Sequence, residues 1–278
     1  MATTRTPSPD AITKEEFDVL LSQYPALVEA ISQSKGAKPG QKTLQELDHY
    51  RYVDALEVFG SGKPQREMTR DDVELLVEWK LPHLTPPRRH GKFRPTLMSL
   101  VTSNPQPLTK SVIQTALHTY RTAANIPSTL DALTKLRGIG PATASLLLTV
   151  HDPSRVIFFS DEAFYWLCCG GSKAPVKYTA KEYQSLRDRA AELTERLGVS
   201  ATDVEKVAYV LMKRSEAGGK PKAPTEKKAP RAVGKREASS VKRKTSSSQD
   251  AAPKAPKDTA PKDAPGVRRS KRLKAQDH

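Results

Sequence analysis

Cysteine is almost missing from this chain of 278 residues, and its two cysteines, Cys168 and Cys169, are neighbours. Adjacent thiols cannot staple distant segments, so a disulfide framework is excluded and a reducing compartment is natural. No Cys/His set has zinc spacing, and neither G-x-x-x-x-G-K-[ST] nor G-x-G-x-x-G occurs, so nucleotide binding through those loops is not indicated. No apolar run approaches the roughly 20 residues that cross a bilayer, so no membrane association is expected. The first ten residues lack an apolar stretch of the kind a secretory signal needs. Alternating apolar and polar residues are also missing. The apolar run 156–159 is too short to build a sheet on, which leaves an all-α reading.

Charge is abundant and unevenly spread. The net is +15 overall, yet residues 213–278 carry 20 Lys/Arg against 7 Asp/Glu, leaving 26 against 24 for the rest. That end has no aromatic residue, no Ile and a single Leu, Leu273. Lys, Ala, Pro and Ser cannot bury enough apolar surface to offset an ordering cost of roughly 1–2 kcal/mol per residue. Three regions are therefore expected: a disordered N-terminus over 1–9, a helical domain over 10–216 and a disordered basic tail over 217–278. Two basic clusters in the tail, Lys242, Arg243, Lys244 and then Arg268, Arg269, Lys271, Arg272, Lys274, read as nuclear import signals or nucleic-acid patches. The expected location is the nucleus, with an import receptor as one partner.

The body predicts about ten helices. Capping boxes stand at Thr13-x-x-Glu16, Thr43-x-x-Glu46 and Thr179-x-x-Glu182, and Thr69, Thr109, Ser128 and Ser200 are further candidate caps. Helical spacing places Val73, Leu76, Val77 and the stem of Lys80 on one face, and Leu186, Ala190, Leu193 and Leu197 on another. Leu81-Pro82 is expected to stop a helix.

Residues 136–148, Leu-Arg-Gly-Ile-Gly-Pro-Ala-Thr-Ala-Ser-Leu-Leu-Leu, carry the most information. A helix capped by Ser128 should end at Leu136. A tight turn would follow in which Gly138 and Gly140 permit positive φ and close approach. Pro141 suits the first position of the next helix. The amides around Gly140 would then form a helix N-terminus suited to a phosphate.

Leu-x-Gly-Ile-Gly-x-x-Thr-Ala resembles the helix-hairpin-helix motif of DNA-binding proteins. The resemblance implies a backbone-phosphate contact without sequence readout, carried by Gly138, Ile139 and Gly140 with Ala142 and Thr143 opening the helix. It extends to Phe158-Phe-Ser-Asp-Glu-Ala-Phe-Tyr-Trp-Leu167, which looks like the second signature of the helix-hairpin-helix DNA glycosylase superfamily. There an aspartate opens the next helix and serves base excision. Asp161 falls at that position, with Phe164 and Leu167 facing the core. Bifunctional members carry a Schiff-base lysine just after the turn. Here that position is Ala142, which disfavours a covalent lyase, and no cysteine set implies an iron–sulfur cluster. No cofactor and no metal are expected. Asp161 has a plainer reading as a helix cap, shared with Ser160.

Arg88, Arg89, Lys92 and Arg94 could flank the hairpin as further phosphate contacts, or form a solvated loop. Trp79, Tyr165 and Trp166 could clamp an extruded base but read better as core. His151 could meet the C-terminal carbonyls of the hairpin helix, and the cysteines read as buried thiols. The leading expectation is a non-catalytic nuclear DNA-binding protein. One alternative is a monofunctional DNA glycosylase using Asp161 to activate water. The other is a scaffold for chromatin proteins whose tail alone meets DNA.

Overall fold

A computed structural model of the chain describes residues 6–37, 39–60, 64–83 and 96–218, all within one compact unit, Met1–Ala223. All regular structure among the described residues is helical, with no strand. The elements run α1 (Lys14–Leu21), α2 (Tyr24–Lys35), α3 (Leu44–His49), a π-helical turn (Tyr50–Asp54), α4 (Ala55–Phe59), α5 (Arg70–His83), α6 (96–102), α7 (Gln106–Ala123), α8 (Ile126–Leu133), α9 (Pro141–Thr149), α10 (Asp161–Cys168), α11 (Ala180–Leu197) and α12 (Ala201–Gly218).

Local chemistry explains most helix starts. Thr13, Thr43 and Thr179 each close a capping box with the glutamate three residues on. Thr69 pairs with Asp72, and Ser200 with Asp203, in the same reciprocal way. Two expected caps are corrected. Asn125, not Ser128, caps α8, its side chain accepting the Ser128 amide at 3.0 Å. Helix α7 starts at Gln106 behind Pro105, which leaves Thr109 buried inside it. Pro105 and Asn125 each lie one turn ahead of the hydroxyl residue expected to cap. Helix α5 also runs past Leu81-Pro82 to His83, and α8 ends at Leu133 rather than Leu136.

Helix α9 is the axis of the core. Every residue from Ala142 to Thr149 is buried. Helices α10 and α11 pack on each other, both meet α12, and α5 crosses α9. The extended stretch 156–160 runs between them, fully buried. Its polar backbone is satisfied by side chains instead of a ladder. Phe159 N donates to Ser145 Oγ at 2.9 Å, Tyr183 Oη donates to the Ile157 carbonyl at 2.9 Å, and Phe158 N donates to Glu205 Oε1 at 2.5 Å.

Residues 6–9, expected to be disordered, pack on the domain. Trp166 Nε1 donates to the Pro7 carbonyl at 2.9 Å, and Arg196 donates to the carbonyls of Pro9 and Ile12 at 2.6 and 2.8 Å. An indole and a guanidinium thus satisfy backbone that carries no regular structure. Lys213, counted above with the basic end, belongs to α12, and its ammonium lies 3.3 Å from Glu162.

Candidate functional site

The turn between α8 and α9 is built against the end of α6 and the residues just after it. Asn104 brackets it, accepting the Arg137 amide and donating to the Arg137 carbonyl, both at 2.9 Å. Gly138 has φ +78°, and a Cβ there would meet Val101 Cγ2 at 2.9 Å and Leu100 Cβ at 3.1 Å. Both the backbone conformation and the close approach require glycine. Gly140 differs from expectation. Its φ is −92° and ψ 179°, extended backbone open to any residue, and no atom of the described residues lies within 4 Å of where a Cβ would stand. The chain reverses at Gly138 alone, so Gly140 needs no positive φ.

Gly140 is the N-cap of α9, and no side chain among the described residues caps that end. Gly140 and Pro141 are exposed, as are Lys135 and Arg137 beside them. Ile139 is buried and its amide donates to the Leu136 carbonyl at 3.2 Å, so its role is to pack the turn. Ala142 and Thr143 turn their side chains into the core, at 6% and 2% exposure, which leaves only backbone for an outside partner. Sequence reasoning passed over Lys135 and Arg137. Their signal was two cations within three residues ahead of Gly138.

A second polar cluster lies behind this helix end. Ser160 is the N-cap of α10, its Oγ accepting the Ala163 amide at 3.1 Å, and Asp161 is the first helical residue. The capping duty that could have accounted for Asp161 is thus discharged by its neighbour. One Asp161 oxygen, Oδ1, accepts from the Tyr178 hydroxyl. Lys80 reaches from α5 and donates from Nζ to Thr143 Oγ1 at 2.8 Å. Burial pulls the Lys80 amine down to about 8, and the Asp161 charge works against that fall. Only the stem of Lys80 was expected in the core, yet its ammonium is buried as well. Lys80 thus brings an amine from α5 to the start of α9. Lys80 and Asp161 each keep 9% of their surface exposed, so the cluster is nearly but not wholly closed.

Tyr178 holds its position at a cost. Its φ of +57° lies in the left-handed region, which strains a residue bearing a Cβ by about 1–3 kcal/mol. Its ring stands edge-on against Phe159, with centroids 5.1 Å apart.

Beneath the cluster, Arg51 is fully buried. It donates to Glu205 Oε2 from Nη1 and Nη2 at 3.0 and 2.9 Å and to Thr149 at 3.2 Å. Trp79 lies against its guanidinium, the ring centroid 4.1 Å away. Trp79, Tyr165 and Trp166 are all buried, as core residues should be. The hollow among Tyr24, Tyr52, Trp79 and Tyr209 holds about 20 Å³, room for about one water and not for a base. His151 makes no hydrogen bond to helix carbonyls. Neither ring nitrogen has a hydrogen-bond partner among the described residues, and burial pushes the imidazole down to about 4. Cys168 and Cys169 are free and only half-buried, and burial lifts the Cys168 thiol to about 11.

Arg88, Arg89, Lys92 and Arg94 lie outside the described residues, as do all the basic residues assigned to nuclear import. No protein family, curated protein or solved structure matches this chain.

Proposed function

We propose that the helical domain binds DNA through the backbone of a helix-hairpin-helix formed by α8, the turn and α9. The observation that carries this reading is the exposed, uncapped start of α9 at Gly140, with open space where a side chain would stand and Lys135 and Arg137 exposed beside it. Unpaired helix-terminal amides and the positive dipole end favour an anionic oxygen. Nearby cations add a long-range attraction without reading bases. Residues 219–278 would supply further non-specific affinity and the signals for nuclear import. Duplex binding by a chain ending at residue 218 tests the reading, because it removes the tail and keeps α12 whole. That chain should bind at low salt, and Gly140→Ala should weaken it about tenfold while leaving the fold intact. No binding by the chain 1–218 at low salt would leave the scaffold for chromatin proteins as the better account, with the tail alone meeting DNA.

The Asp161 cluster favours a second reading, base excision at the bound duplex. Ser160 performs the capping, and the Tyr178 hydroxyl and the Lys80 charge converge on the buried Asp161 carboxylate. In the reaction, water adds across the bond between sugar C1′ and the base nitrogen. The oxygen bonds C1′, the C1′–N electron pair leaves with the base, one water proton passes by way of Asp161, and the base takes up a proton. A fixed carboxylate beside the developing cation at C1′ lowers the barrier. The amine of Lys80 gives this reading a second nucleophile, which Ala142 alone would not suggest. Release of a base from duplexes bearing alkylated, deaminated or oxidised bases, lost in Asp161→Asn, would support it. Borohydride trapping on a duplex with an abasic site, lost in Lys80→Met, would show that the amine takes part.

A further inference from the structure

We infer that Tyr178 is the positioning residue of Asp161, fixing the direction in which that carboxylate meets a reacting group. The inference rests on the base-excision reading above.

Two independent observations meet at this residue. Among the described residues, Ala124 and Tyr178 are the non-glycine positions with positive φ. Ala124 has an ordinary reason, because it is the left-handed C-cap of α7 and its amide closes on the Tyr120 carbonyl. Tyr178 ends no helix. It precedes Thr179, the N-cap of α11, whose capping box is complete without it. Helix capping therefore leaves its strained backbone unexplained.

The second observation is what that backbone achieves. The phenol turns back onto α10 and donates to Oδ1 of Asp161, 17 positions earlier in the chain. The edge of its ring rests on Phe159, two residues before Asp161, and Phe159 is itself fixed to α9 through Ser145. Burial and the neighbouring carboxylate push the phenol above its ordinary pKa, so it stays a donor across the working pH range. A carboxylate at the first position of a helix can rotate about two side-chain bonds. With one oxygen held by Tyr178 and the Lys80 charge on the same group, one orientation is selected. Strain retained in the native state to orient a reacting group is the pattern expected of pre-organised sites.

Tyr178→Phe tests this in the full-length chain, because it keeps the ring and its packing and removes only the donor. With a duplex from which wild type releases a base, Tyr178→Phe should slow single-turnover release ten- to hundredfold at saturating enzyme. Duplex affinity should stay within twofold of wild type, a split that a merely structural role would not produce. Wild-type rates in Tyr178→Phe, with Asp161→Asn inactive, would overturn the positioning role and leave base excision standing. No release from any lesion by wild type would remove the base-excision reading and this inference together. A measurement independent of activity completes the test. The Tyr178 hydroxyl proton should give a downfield, slowly exchanging resonance that vanishes in Asp161→Ala. Its absence from the wild-type spectrum would overturn the inference even if Tyr178→Phe fails to fold.

Discussion

Lys80 and His151 share a predicament, each a basic side chain held away from water, and each should leave a mark on stability as a function of pH. Burial holds the Lys80 amine at about 8 against 10.5 in an open chain. Between those values the native state binds fewer protons than the unfolded chain, so stability rises with pH. At about 1.4 kcal/mol per pH unit, the gain between pH 8 and 9.5 should be about 2 kcal/mol. Urea unfolding across that interval should show the stability of wild type rising by that amount relative to Lys80→Met, the comparison that cancels the buried thiols and phenols titrating in the same range. His151 works at the acid end. Burial, helped by the Arg121 charge, lowers its imidazole from 6.5 to about 4. The unfolded chain again binds more protons between those values, so stability should fall as pH drops from 6.5 toward 4. His151→Phe, beside Phe59 whose ring already lies 5.4 Å away, should flatten that limb. Little of this was legible in the sequence. Spacing put Lys80 on a buried face, but long amines ordinarily carry their charge out to water. Thr143, 63 positions away, and the Asp161 charge show why this one stays inside. Asp161 and Ser160 were equally good caps on paper, and a tertiary coordinate was needed to tell them apart.

Elements were easier to read than their edges. Capping boxes at Thr13, Thr43 and Thr179 are local chemistry, decided within four residues, and they stand where the sequence puts them. The starts of α7 and α8 fall at Pro105 and Asn125, one turn ahead of Thr109 and Ser128, which spacing alone had favoured. Within the turn before α9, two glycines that looked alike have different reasons. Gly138→Ala should destabilise the domain, because the added carbon meets Val101 and Leu100 in a backbone conformation that already disfavours it. The melting temperature should fall by several degrees, as a change of 1 kcal/mol moves a domain of 150–250 residues by about 2–4 °C. Gly140→Ala should melt like wild type, since its Cβ enters open space. If both variants melt alike, the division of labour between the two glycines is wrong.

At the scale of the whole molecule, one buried ion pair joins ends of the domain that the sequence holds 154 positions apart. Arg51 leaves the π-helical turn, meets Glu205 on α12 and touches Thr149 at the end of α9. Glu205 also receives the Tyr52 hydroxyl at 3.1 Å and the Phe158 amide. Removing one partner leaves the other charge buried and uncompensated, at a cost of about 3–5 kcal/mol. Glu205→Ala should therefore unfold at markedly lower urea than wild type. Arg51→Met with Glu205→Gln should recover part of the loss, because the double change leaves no net charge inside. Long-range pairing of this kind gives no periodic signal, which is why Arg51 and Glu205 went unremarked in the sequence while the apolar stripes around them did not.

Thr6 to Ile12 act as a clasp on the two helices that carry Asp161 and Arg196. A protease that trims this leading stretch would bare the Trp166 indole and free the Arg196 guanidinium at once. Tryptophan emission would shift to the red as the clasp opened, giving a direct optical signal of how tightly the amino terminus braces the helix that begins at Asp161.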